Sequence, residues 1–152
     1  MPARLITIAV LLSACAMPHP AAAQGTYDAA LATKLGADEY GMRTYVMAFL
    51  KAGPNRNRSA DEARKLQQAH MANINRLAAA GKLVLAGPFA DDGPVRGIYI
   101  FDVPTIAEAE ALTKTDPAIQ AGSLVMELHP WYGSAALMTV NEVHRRIEKS
   151  RP

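Results

Sequence analysis

KLVLAGPFADDGPVRGIYIFDV, residues 82–103, decides the fold. Two apolar runs, 82–89 and 95–103, flank Asp91-Asp92-Gly93-Pro94, whose residue types favour a turn. A link that short joins its two strands as an antiparallel hairpin. Helix signals stand on both sides of this hairpin, so it sits between two crossover connections.

On the N-terminal side, Ser59-Ala60-Asp61-Glu62 is a capping box. The Ser59 oxygen can accept the Glu62 amide while the Glu62 carboxylate reaches back to the Ser59 amide. Ala63, Leu66, His70, Ile74 and Leu77 then recur at three- and four-residue steps and share one helix face. Gly81 supplies the left-handed residue that ends such a helix. Before it, MRTYVMAFL (42–50) reads as a strand closed by Gly53-Pro54.

On the C-terminal side the pattern recurs. Thr105-Ile106-Ala107-Glu108 opens a second helix with Ala109 and Leu112 inward. Thr115-Asp116-Pro117 breaks it and starts another turn, Asp116 as N-cap and Pro117 as the first helical residue. SLVMELHPWY (123–132) is the fourth strand, ended by Gly133. The sum is an α+β chain of ferredoxin-like βαββαβ order. Right-handed crossovers place both helices on one face of a four-stranded antiparallel sheet.

The second sheet face is then expected to lack cover from its own chain. Met47, Phe49, Tyr99, Phe101 and Met126 are candidates to line one face or the other. A large exposed apolar face is unusual in a monomer, which predicts a homodimer with two sheets packed together. Residues 134–152 form a tail in which Leu137, Val140, Val143, His144 and Ile147 follow helical spacing. Arg145, Arg146, Lys149 and Arg151 suit the negative end of a helix. The tail reads as a C-terminal packing or capping helix.

Residues 1–23 have the layout of a secretory leader: Arg4, the apolar stretch 5–12, Pro18-His19-Pro20, then Ala21-Ala22-Ala23. The apolar stretch is too short for a permanent membrane span. Two processing routes stay open. Cleavage after Ala23 leaves Gln24 first, whereas Leu12-Ser13-Ala14-Cys15 resembles a lipobox in which Cys15 is lipidated. Both predict a domain working outside the cytoplasm, periplasmic or extracellular, either free or lipid-anchored. Residues 24–40 read as a tether or a short helix (Tyr27 to Leu35), and 41–133 as the domain proper.

Composition bounds the chemistry. Of 152 residues, half are apolar and a fifth charged, as in an ordinary globular protein. Removing Arg4 with the leader leaves 15 basic against 14 acidic residues, without the basic excess of a nucleic-acid binder. The one local basic cluster, Lys51, Arg56 and Arg58, lies in a Gly/Pro/Asn loop and reads as a solvated loop. Cys15 is the only cysteine, so the mature domain is expected to have no disulfide, thiol nucleophile or thiolate metal ligand. No metal motif and no cofactor motif stands out.

His70 is the sharpest residue. It shares the apolar helix face with Leu66 and Ile74, where an imidazole costs free energy unless its nitrogens find partners. Asp116 is a candidate partner, giving an acid/base pair. The plainer reading makes His70 a core residue bonded to a backbone carbonyl and Asp116 a helix cap alone. Gly87, Pro88 and Ser123 are candidates to line a pocket, Gly87 by allowing close backbone approach.

The stretches 70–77, Gly81-Lys82-Leu83, Ala86-Gly87-Pro88-Phe89, Asp91-Asp92-Gly93, Thr115-Asp116-Pro117 and Glu127-Leu128-His129-Pro130-Trp131 together resemble the YciI-like (YCII-related) proteins over about residues 42–133. The resemblance implies a dimeric α+β barrel and a His/Asp pair in a pocket, carried here by His70 and Asp116. Relatives of that fold act on small ring compounds such as lactones and hydroxyquinones. The leader departs from the usual cytoplasmic members. Three functions follow for test: an enzyme on a small cyclic or aromatic compound, a module that binds such a ligand, or a domain that only dimerises.

Overall fold

Two local signals fix the longest helix of the chain. Ser59 accepts the Glu62 amide, and the Glu62 carboxylate takes the Ser59 amide at 2.9 Å, so the capping box is complete. At the other end Lys82 N–H bonds Leu77 O and Gly81 N–H bonds Ala78 O, with Gly81 at φ +69°. That is a Schellman ending, and it turns the chain directly into the next strand.

The computed structural model describes residues 25–150. The leader expected over 1–23, with Cys15, and Arg151 of the tail lie outside the described residues. The elements run α1 (Ala29–Leu35), β1 (Met42–Ala52), α2 (Ala60–Ala79), β2 (Leu83–Pro88), β3 (Val95–Phe101), α3 (Ile106–Thr113), α4 (Pro117–Gln120), β4 (Leu124–Ser134), a 3-10 turn (Ala135–Thr139) and α5 (Val140–Ile147). The sheet order is β2-β3-β1-β4 with every neighbouring pair antiparallel. This is the expected ferredoxin-like α+β layout. No helix among the described residues is long and apolar enough to cross a membrane.

Alternation along β1 divides the core. Val46, Ala48 and Leu50 face α2 and α3, where they pack with Leu77, Ala109 and Phe101. Tyr99 and Met126 join this layer as well. Tyr45 and Met47 point the other way.

That second face is not bare, as the sequence had suggested. The chain turns back after β4, where Ser134 caps the 3-10 turn by accepting Ala136 N–H. Leu137 and Met138 then lie over Tyr45, Val84, Ile100 and Trp131. Asn141 donates to Leu83 O at 2.8 Å, fastening α5 to β2. The cover reaches one end of the face only. At the other end Phe49 and Ile98 stay half-buried and Val125 is exposed, beside an ion pair of Lys51 with Glu127.

The segment before β1 also touches the domain. Arg43 donates to Leu35 O at 2.8 Å, at the end of α1, and to Asp102 at 2.5 Å. Tyr132 donates to Asp38. After β1, the loop is stitched to the α4–β4 link: Gly53 N–H to Ser123 O, Asn55 N–H to Gly122 O, and Arg58 to Ala121 O at 2.6 Å.

Candidate functional site

His70 sits on the third turn of α2 and is buried to 8% exposure. Its Nδ1 lies 2.8 Å and 2.9 Å from the two carboxylate oxygens of Asp116. Asp116 is fully buried. It also N-caps α4, where its Oδ1 accepts Ala118 N–H at 2.8 Å and Pro117 takes the first helical position. The cap therefore uses one oxygen and one amide, and the other oxygen is left for the imidazole. Both expected roles of Asp116 coexist, and the backbone-carbonyl reading of His70 does not hold.

The two residues are 46 positions apart, and a second network holds their elements together. Arg76 donates to Asn73 at 2.7 Å and to Thr115 at 2.8 Å, and Thr115 donates to Asn73 at 3.1 Å. This clamps α2 to the turn that presents Asp116.

A carboxylate against Nδ1 favours the tautomer with the proton on that nitrogen, leaving Nε2 as an acceptor. Tyr99 of β3 places its hydroxyl 3.3 Å from Nε2, a long hydrogen bond, and its ring stacks near His70 at 6.3 Å between centroids. Burial, and then the charge of Asp116, push the Tyr99 phenol well above the usual tyrosine range. It therefore remains an O–H donor.

His70 and Tyr99 open onto a cleft of about 450 Å³, within the range of small-molecule sites. Asp116 lies behind His70, outside the lining. Leu50, Leu66, Met71 and Ile74 make apolar wall. Gly87, Pro88 and Ser123 all line the cleft, so the three pocket candidates stand beside His70. Gly87 itself is not sterically required, since a Cβ there would meet open space. The required glycine is Gly97 opposite, where a Cβ would stand 2.5 Å from Gly87 O. That contact lets β2 and β3 close up at the cleft wall.

Arg56 and Arg58 line the cleft too, with Arg96 of β3. The loop reading of this cluster holds, with Arg56 exposed and Arg58 partly exposed, and the same loop borders the cleft. Hydrogen bonds from the loop to the α4–β4 link bring them over the cleft. Only Lys51 keeps clear of it, paired with Glu127. Tyr99 and Arg96 were missed as site residues. The signal for Tyr99 was available: it sits two residues from Phe101 on the same strand face, and it carries a hydroxyl that a buried site must satisfy. Among the described residues, no three His, Cys, Asp or Glu side chains gather as a metal site.

The family model of the YCII-related domain matches residues 45–132. No curated protein matches the chain. Among solved structures, the chain is similar to a 5-chloro-2-hydroxyhydroquinone dehydrochlorinase from Burkholderia phenoliruptrix in complex with 2,5-dihydroxybenzoquinone. The identity is 20%, the match covers 59% of this chain and 93% of that one, and the TM-score is 0.44.

Proposed function

This chain belongs to the YCII-related family, and on that premise we propose that its cleft is the active site of an enzyme that moves a proton on a small cyclic or aromatic compound. The observation that carries the reading is the His70–Asp116 pair, fixed by two short contacts, with His70 lining a cleft that has an apolar wall. His70 takes the substrate proton at Nε2 and returns it in a later step. Asp116 keeps the second proton on Nδ1 and offsets the charge of the imidazolium. When substrate binds, Tyr99 turns its single O–H from Nε2 to an oxygen on the ring, which frees Nε2 for the proton. A positioned acid/base residue of this kind accelerates a reaction by about 10²–10⁴-fold.

The test is turnover of a panel of hydroxylated and chlorinated six-membered ring compounds, followed by absorbance and by deuterium incorporation from D2O. His70→Gln should lose about a hundredfold or more with any compound that reacts. Turnover that survives His70→Gln would overturn the assignment. Wild-type binding without turnover or exchange would make the domain a ligand carrier.

The proposal has two further parts. The incompletely covered end of the sheet, with Phe49, Ile98 and Val125, supports a homodimer, which equilibrium sedimentation would detect. The leader pattern over 1–23 supports export, with the N-terminal mass of the mature protein separating Gln24 from lipidated Cys15.

A further inference from the structure

The cleft carries charge of one sign. Arg56 comes from the loop after β1, Arg58 from the start of the connection to α2, and Arg96 from β3. Among the described residues lining the cleft, none is acidic. Elsewhere in the domain Arg43 has Asp102 and Arg64 has Asp61 as carboxylate partners. Arg56 and Arg96 have no such ion pair among the described residues; Arg96 makes only a 3.5 Å contact to Gly93 O.

Arg58 is held differently. Its guanidinium donates to Asn55 O and to Ala121 O, so it is pinned in place with donors to spare. Glu62 feels the charge of Arg58, and that carboxylate is committed to the Ser59 hydroxyl and amide of the capping box. Asp116 lies behind His70 and outside the lining.

Resting on the reading of the cleft as a small-molecule site, we propose that it selects an anionic ring compound, with the anionic oxygens toward Arg56, Arg58 and Arg96 and the ring against Leu66 and Tyr99. The arrangement orients the ligand. Its anion is drawn to the arginines and repelled by Asp116, which leaves the opposite ring edge toward His70. Removing a proton from such a compound raises its negative charge, and the guanidinium groups stand where that charge develops. Arginine also matches a planar carboxylate through paired N–H donors.

The probes are 2-hydroxybenzoate and its near-isosteric neutral amide, 2-hydroxybenzamide, titrated into the full mature chain by calorimetry and by amide-shift NMR. At low salt the anion should bind at least tenfold tighter, the scale of one charge-assisted hydrogen bond. Raising the salt should weaken the anion and leave the amide unchanged. The double variant Arg56→Gln/Arg96→Gln should cut anion affinity about tenfold and amide affinity less than twofold. It spares the pinned Arg58, and circular dichroism checks its fold. Equal affinity for the two probes, an unaltered anion in the double variant, or no detectable anion binding would each overturn the proposal. The charge preference is read by binding alone, so it stands or falls separately from the turnover that tests His70.

Discussion

Asp116→Ala, His70→Ala and the double variant form a cycle that measures what the buried pair contributes. Asp116→Ala removes the cap bond to Ala118 N–H, about 1 kcal/mol. It also strips the acceptor from a buried Nδ1–H, about 1–3 kcal/mol more. The single change should therefore destabilise by about 2–4 kcal/mol. His70→Ala leaves a fully buried carboxylate without its imidazole partner, with the Ala118 amide and the Tyr99 hydroxyl as remaining donors, which costs up to about 3–5 kcal/mol. The double variant should lose less than the sum, because neither orphan remains. A coupling of about 1.5–3 kcal/mol fits a charge-assisted hydrogen bond away from water, against about 0.2–1 kcal/mol for an exposed ion pair. Urea unfolding of the four proteins, read by circular dichroism and by Trp131 fluorescence, gives the cycle. Trp131 lies in the outer-face cluster, so it reports global unfolding rather than the site. Asp116→Asn is the control: it keeps a good cap residue while removing the charge. A coupling below about 0.5 kcal/mol would refute the reasoning, since Asp116 would then be a helix cap that happens to lie beside an imidazole.

Gly97→Ala should destabilise by about 1–3 kcal/mol, because the new methyl meets the Gly87 backbone, whereas Gly87→Ala should change the melting temperature little. Burial raises the Tyr99 phenol above the ordinary tyrosine pKa in the folded state. Its contribution is therefore complete below about pH 10 and is lost as pH rises, since the unfolded chain gives up its proton first. Wild-type stability should fall by up to about 1.4 kcal/mol per pH unit more steeply above pH 10 than that of Tyr99→Phe, and identical slopes would contradict the burial argument. Leu137→Asp should uncover Tyr45, Ile100 and Trp131, seen as increased binding of a hydrophobic dye and a loss of about 1–2 kcal/mol; a variant as stable as the parent would mean that the tail contributes no cover.

What the sequence made legible was local chemistry. The Ser59 box, the Gly81 ending and the Asp116-Pro117 helix start each depend on residues three or four apart, and each formed as read. The Thr105 opening is only half reciprocated, because the Glu108 carboxylate takes the Thr105 hydroxyl instead of its amide. Alternation in β1 was equally plain, yet it could not say which set faced the helices. Tyr45, Met47 and Phe49 are as apolar as Val46, Ala48 and Leu50, so either set satisfies a core. The choice is made by Leu137 and Met138, some ninety residues away, and by the bulge between Leu83 and Leu85 that lets both Leu83 and Val84 be buried.

The same limit explains the arginines. Gly53, Pro54, Asn55 and Asn57 do specify a loop, and Arg56 is exposed as a loop residue should be. Whether that loop ends in bulk water or over a cleft depends on its bonds to Ala121, Gly122 and Ser123, contacts that no periodicity in the sequence records. Tyr99 and His70 meet for a related reason. Each is placed on its element by a local pattern, but they converge because β3 lies beside β1 in the centre of the sheet, beneath α2. A site assembled this way draws its imidazole from a helix, its carboxylate from a cap, its hydroxyl from a central strand and its cations from a loop and a strand end. The cap and the helix face announce themselves most plainly in sequence, and the strand alternation that carries Tyr99 less so. The charge of the cleft, which bears most directly on what can enter it, is set by tertiary contacts alone.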